Sequence, residues 1–279
     1  MQAFLRRFAA NKGAVLGAII LIVVVAVAII APLLYPGNPW RGVARPLLGP
    51  FQDPAYPLGT DMLGRDIAAG IAHGARVTLM IGLISTMVSV FIGITFGALA
   101  GFYGGWVDDA LMRFTEFFQT IPPFAMAVVL VAIFTPTLVT IILAIAIVSW
   151  PPVARLVRAE FMSLKSREFV QAAITIGQTG PRIIWSQILP NVMSPIIVTA
   201  SLMVATAILT ESSLAFLGLG DRNQMSWGYQ IGAGREMLRQ AWWLATFPGV
   251  AILLTVLGIN LVGEGLNDAM NPHLRGRKG

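Results

Sequence analysis

The sequence predicts an all-α fold, a polytopic membrane bundle of six transmembrane helices, and three observations carry that prediction. Apolar residues fill 56% of the 279 positions and charged residues only 11%, where soluble domains hold roughly a quarter charged. Six stretches each supply the about 20 mostly apolar residues that a helix needs to cross a hydrocarbon core about 30 Å thick. The basic residues are dispersed between those stretches, so the net charge of +6 reads as asymmetry across a bilayer and not as a nucleic-acid footprint. The chain has no cysteine, which excludes a disulfide framework, a thiolate metal site and a thiol nucleophile.

The first span covers residues 14–34 and is longer than the apolar core of a cleaved signal peptide, so it is expected to remain as an anchor. The second, residues 75–100, carries Gly93, Gly97 and Gly101 at its end. Their spacing of four makes a small-residue ridge for close helix contact, within the bundle or toward a partner. The third, residues 110–134, holds Arg113 and Glu116 one turn apart, an expected local ion pair. In the fourth, residues 138–157, Pro151 and Pro152 remove backbone donors and favour a kink or hinge. The fifth, residues 192–217, contains Glu211. The sixth, residues 246–266, contains Asn260, a candidate interhelical donor.

Lys and Arg in short loops stay on the cytoplasmic side during insertion. With the N-terminus inside, the inner segments hold twelve of the nineteen basic residues, including Arg275, Arg277 and Lys278, and the outer segments hold seven. Both termini are therefore expected to be cytoplasmic. The outer loop after the first span is rich in proline up to Pro57, which forbids a regular helix there. A short helix capped by Thr60 or Asp61 is expected to follow. The second outer loop carries Trp227, Tyr229, Trp242 and Trp243, expected at the headgroup level of the membrane. His73 and His273 stand far apart and give no metal-site signature.

Between the fourth and fifth spans lies "SREFVQAAITIGQTGPRIIWSQILPN", a polar interruption expected to face the cytoplasm. Phe169, Ala172, Ala173 and Ile176 fall at i, i+3, i+4 and i+7 and so share one face of a short helix, flanked by Arg167, Glu168 and Gln171. Gly177 and Gly180-Pro181 break it. A second helical turn brings Ile184 and Ile188 to one side before Leu189 and Pro190, where it is expected to end. The narrow, alanine-rich face suits a protein groove better than lipid.

"QAAITIGQTGPRIIWSQILPN" resembles the EAA loop of bacterial ABC importer permeases, matched here at Ala172, Ala173, Gly177, Leu189 and Pro190, with Gln171 in place of the leading Glu. "LGTDMLGRD", "AGFYGGWVDDALMR", "ESSLAFLGLG", "SWG" and "WWLATFPGVAILLTVLGINLVGEGLNDAMNP" resemble, in order, the dipeptide, oligopeptide and nickel permease group, specifically its C-type second permease subunit. Two departures stand out: the common Gly-Asp-Gly-Leu-Arg-Asp near the end reads Gly263-Glu264-Gly265-Leu266-Asn267-Asp268, which keeps a carboxylate, and Ala68-Ala69 replace the Ser-Arg often following Gly-Arg-Asp.

The resemblance implies a type I ABC importer permease fold, with residues 1–74 as an N-terminal segment, first span and outer loop. Residues 75–279 would form the permease core, with an ATPase-docking loop at 158–191. It implies as partners a homologous second permease subunit, two ATP-binding subunits, an extracytoplasmic solute-binding protein and membrane lipid, in a bacterial inner membrane. No nucleic acid is implied. ATP and Mg would sit on the partner subunits, since this chain carries no GxxxxGK[ST] phosphate loop and is not expected to be an enzyme. The docking residues carried over are Phe169, Gln171, Ala172, Ala173, Ile176, Gly177, Ile188, Leu189 and Pro190. Glu211 and Glu116 are the pathway or gate candidates, because intramembrane acids must pair, face water or take a proton. The rival reading is a self-sufficient secondary transporter in which those two carboxylates carry coupling protons. A scaffold that recruits an ATPase for signalling is a third reading.

Overall fold

The computed structural model describes residues 2–270, and side chains from residue 6 onward. Pro272, His273 and the basic residues Arg275, Arg277 and Lys278 lie outside the described residues, and with them the expected cytoplasmic C-terminus. Among the described residues there are helices and ordered loops, and extended pairing is confined to one isolated bridge between Thr60 and Asp66.

Helix α1 (Gln2–Ala10) stops at Asn11, whose side-chain oxygen accepts from the Ala14 N–H at 3.1 Å and so caps α2 (Lys12–Leu34). The same amide donates to Asp268 at 3.0 Å, tying the start of α2 to the end of α11 (Trp243–Met270). The two helices pack through small residues. A Cβ added at Gly17 would stand 2.7 Å from both the Gly258 carbonyl oxygen and Leu261 Cβ.

Helix α3 (Ile67–Tyr103) is the axis of the bundle and packs along α6 (Leu138–Lys165). Its glycine ridge makes this contact: a Cβ at Gly93 would meet Val153, at Gly97 Ala154 and Val157, and at Gly101 Arg158 and Phe161. The ridge therefore serves the bundle itself. α3 starts at Ile67, runs unbroken across residue 74 and is capped by Asp66, which accepts from the Ala68 N–H at 2.9 Å. Thr60 and Asp61 do not cap a separate helix. Thr60 is buried and staples the loop, donating to Arg45 O and accepting from Leu48 N, while Asp61 accepts from the N–H groups of Leu63 and Arg65 in a turn.

The third span is not one continuous helix. It is α4 (Gly105–Gln119) and α5 (Pro123–Ile133), bent by 79° where Pro122 and Pro123 remove successive donors. Five helices are each long and apolar enough to cross a membrane, and the bent pair makes the sixth if it counts as one span. α6 contains Pro151 and Pro152 yet continues through them to Lys165, two turns past the expected end. The short α7 (Glu168–Thr175) and α8 (Gly180–Ile183) follow. A π-turn (Ile184–Ile188) then feeds α9 (Leu189–Leu214) without a break, so Pro190 opens the long helix instead of ending a short one. The wider turn, in which the Leu189 N–H reaches Ile184 O, and a first-turn position are where a proline costs least. A second π-turn (Ala215–Leu219) and α10 (Trp227–Gly234) lead to α11.

The bundle thus has two ends. The hairpin end carries residues 166–190, and the loop end carries residues 35–66 and 220–242. At the loop end the expected aromatic girdle does not form from Trp227 or Trp243, which are 2% and 9% exposed. Trp227 donates from Nε1 to Ile71 O and from its backbone to Thr78 Oγ1, so tertiary hydrogen bonds hold it inside the protein. Tyr229 packs edge-on to Trp40, and only Trp242 of the four is exposed. His73 lies within hydrogen-bond distance of Tyr35 O, joining α3 to the end of α2. Asn260 is exposed on α11 and makes no interhelical hydrogen bond.

Candidate functional site

The hairpin is built by a left-handed glycine. Gly177 (φ +79°) closes α7 with its N–H on Ile174 O, and the next N–H, of Gln178, reaches back to Ala173 O, the paired bonds of a Schellman turn. Nothing stands within 4 Å of a Cβ at Gly177, so the position demands glycine for its backbone and not for space. Gln171 donates from Nε2 to Lys165 O at 2.9 Å, satisfying a carbonyl at the end of α6. A glutamate cannot donate there, so the departure from the Glu of the EAA pattern has a local structural use.

Two faces of the hairpin separate. Val170, Ala173, Ile183, Ile184 and Ile188 are buried against Val153, Val157 and Phe161 of α6 and Val192 and Ile196 of α9. Phe169, Ala172, Gln171, Ile176, Gly177 and Pro190 remain on the surface, with Leu189 half-buried. Among the sequence-derived docking residues, Ala173 and Ile188 therefore seat the hairpin, and the others present it. Ile174 and Trp185, which the sequence reading did not single out, are 44% and 62% exposed, and Ile176 is 74% exposed. The signal was available in the interruption of a polar stretch by large apolar residues.

Between α4 and α6, near the hairpin end, lies a recess of about 410 Å³ lined by Asp109, Met112, Arg113, Glu116, Arg155 and Arg158. The expected Arg113–Glu116 pair does not form within 4.0 Å. The ion pair of this region joins Arg158 to Asp108, two parallel hydrogen bonds of 2.5 Å from Nε and Nη2 to the two carboxylate oxygens. Glu116 is exposed on the recess wall. Above it, Phe114 and Phe118 of α4 pack on Trp150 of α6, with Phe96 of α3 joining them.

Glu211 lies at the other end and is 2% exposed. Its Oε1 accepts from Ser226 Oγ at 2.7 Å and its Oε2 lies 3.4 Å from Ser212 Oγ. Ser226 also caps α10, accepting from the Tyr229 N–H at 3.0 Å, which sets the carboxylate at a helix N-terminus. A Cβ on Gly228 would stand 2.6 Å from Oε2, so only glycine admits the carboxylate this close. Glu211 and Glu116 are thus far apart in role: one bolts α9 to α10, the other lines a recess.

A smaller cavity of about 110 Å³ at the loop end is lined by residues including Asp61, Arg65, Asp66, Tyr229 and Gln230. Arg65 stacks over Trp40 at 4.8 Å and donates to Tyr229 Oη at 3.4 Å. Burial pushes the Asp66 carboxyl up from its ordinary value, against the lowering effect of the Ala68 and Ala69 N–H groups. Among the described residues no group of three or more His, Cys, Asp or Glu is placed to hold a metal ion.

Residues 93–276 match the family described as the binding-protein-dependent transport system inner membrane component, and residues 1–55 match the N-terminal transmembrane domain of oligopeptide transport permease C. The di/tripeptide transport system permease protein DppC of Pseudomonas aeruginosa is 39% identical to this chain, over 99% of this chain and 93% of its own length. The oligopeptide transport system permease protein OppC of Bacillus subtilis is 37% identical over 96% of this chain and 88% of its own. An inward-facing structure of the MetNI methionine ABC transporter shares the fold, with a TM-score of 0.56 at 17% identity over 70% of this chain and 93% of that one.

Proposed function

Because this chain belongs to the binding-protein-dependent transport permeases, in their dipeptide, oligopeptide and nickel group, we propose that it forms one half of the translocation pathway of an ATP-driven importer of peptides or a similar small polar solute. A homologous permease forms the other half. Two ATP-binding subunits, which hold ATP and Mg, dock at the hairpin ends, and an extracytoplasmic solute-binding protein delivers solute at the loop end. The protein is multi-pass, and the hairpin and both termini face the cytoplasm of a bacterial inner membrane.

The observation that carries this reading is the hairpin: Phe169, Ile174, Ile176 and Trp185 are exposed on an element whose Val170, Ala173, Ile183, Ile184 and Ile188 are locked into the bundle. Large apolar side chains held exposed on a fixed element are what a docking partner covers. The helical path from Gly180 to Leu214 is continuous, so a push at Trp185 travels about 39 Å along α9, at about 1.5 Å per residue, to Glu211. There the Glu211–Ser226 bond hands it to α10 and the outer mouth. ATP-driven closure of the ATPases would in this way open the outer side.

The test is uptake of a labelled dipeptide into proteoliposomes holding this chain with its partner permease, both ATPases and the binding protein. The proposal requires uptake that depends on internal ATP and on every subunit. Uptake by this chain alone, driven by an ion gradient, would instead establish the secondary transporter.

A further inference from the structure

The recess between α4 and α6 holds four charges besides the Asp108–Arg158 pair. Arg158 is committed to Asp108 by its two hydrogen bonds. Asp109, Arg113, Glu116 and Arg155 are exposed, and among the described residues none of them makes an ion pair within 4.0 Å or a side-chain hydrogen bond. Two cations and two anions share one concavity without closing an ion pair among themselves. All four line the recess near the hairpin end, where their charged groups are open to water or to a bound solute. Arg155 lies ten residues above the end of α6, about 15 Å along the axis.

The recess is also braced. The Asp108–Arg158 pair fixes α4 to α6 at one end, and the Phe114, Phe118 and Trp150 cluster fixes them at the other. A site held on two rigid helices at both ends loses little entropy on binding. Its volume of about 410 Å³ falls in the range of small-molecule sites, roughly 300–1,000 Å³.

We infer that this recess is a transit site for a zwitterion, taking the carboxylate of a short peptide on Arg113 and Arg155 and its ammonium group on Asp109 and Glu116. Arginine forks match a carboxylate, and the two acids supply acceptors for an ammonium group. The inference rests on the importer reading and adds a place in the permease that holds the solute by its two ends after the binding protein has released it. Net neutrality of the four groups favours a solute carrying both charges over a simple anion or cation.

The test uses the complete transporter with all partner subunits in proteoliposomes, turning over ATP, and a dipeptide carrying p-benzoylphenylalanine as photoprobe. Illumination should label Met112 or its neighbours on α4, as read by mass spectrometry, and an unmodified dipeptide should compete. Arg113→Gln with Arg155→Gln should lower that labelling about tenfold or more, and the charge-keeping pair Arg113→Lys with Arg155→Lys should recover part of it. ATP-driven uptake without any label in the recess would overturn the inference while leaving the importer intact. Loss of the partner permease from the glutamine variant on size exclusion would overturn it too, assigning the charges to the contact between permeases. Absence of ATP-driven uptake by the intact complex would remove the importer reading itself.

Discussion

Gly97→Ala offers a direct measure of how tightly α3 and α6 are joined. A Cβ at this position would stand 2.7 Å from Val157 Cβ and 3.0 Å from Arg158 N, and closer still to the Ala154 carbonyl oxygen. Ordinary contact between carbons begins near 3.5 Å, so the helices must part by roughly 1 Å or shift along each other. Ala154 and Val157 are fully buried, so the shift propagates into a packed core. Overpacking of this kind costs about 1–3 kcal/mol, about 5- to 150-fold in the folding equilibrium. Gly249→Ala, on α11 with nothing within 4 Å of its Cβ, is the matched control. It should be neutral or gain up to about 1 kcal/mol from helix propensity. The assay is the unfolding midpoint of each variant in a dodecylmaltoside–SDS titration. Equal midpoints for Gly97→Ala and wild type would refute the close α3–α6 contact.

Three further outcomes follow from the same geometry. Glu211→Gln keeps an acceptor for Ser226 and should sustain ATP-driven uptake, whereas Glu211→Ala strands the buried hydroxyl and should cost about 1–3 kcal/mol in the same titration. Abolished uptake in Glu211→Gln would favour the proton-coupled rival. Asp66→Asn preserves the cap of α3, while Asp66→Ala should lose about 1 kcal/mol of stability. Because burial raises the Asp66 pKa, the native state holds this proton more tightly. The wild type should therefore lose stability as pH rises from about 3.8 through the raised value, a slope that unfolding midpoints at stepped pH should find absent in Asp66→Asn. Ile176→Asp with Trp185→Asp should leave the unfolding midpoint near wild type, both side chains being exposed, yet lower ATPase recovery in a pull-down.

What the sequence made legible was local or periodic. The glycine ridge was visible from its spacing of four, and the hairpin from Gly177 and the apolar pattern of α7, because helix faces and left-handed turns are set by near neighbours. Trp227 was misplaced because its partners, Thr78 and Ile71, are about 150 positions away, and its side chain alone looks like an interfacial anchor. Asp108–Arg158 escaped for the same reason, whereas the local Arg113–Glu116 spacing drew attention to a pair that does not form. The bend at Pro122-Pro123 was written in the chain, but the surrounding hydrophobicity read as one span. Pro190 shows the converse error, a helix breaker made harmless by the π-turn before it.

The central claim is that this chain is a permease half whose hairpin holds the ATPases. It is tested by purifying the tagged chain from its native membrane in mild detergent and identifying by mass spectrometry what accompanies it, in wild type and in Gly177→Glu. That substitution forces an L side chain to φ +79°, a strain of about 1–2 kcal/mol confined to the turn, with no clash behind it. The account predicts a second permease and P-loop ATPases with the wild type, and loss of the ATPases but not of the partner permease with the variant. Equal ATPase recovery from both, or a wild-type chain that purifies alone and still moves solute in liposomes, would contradict it.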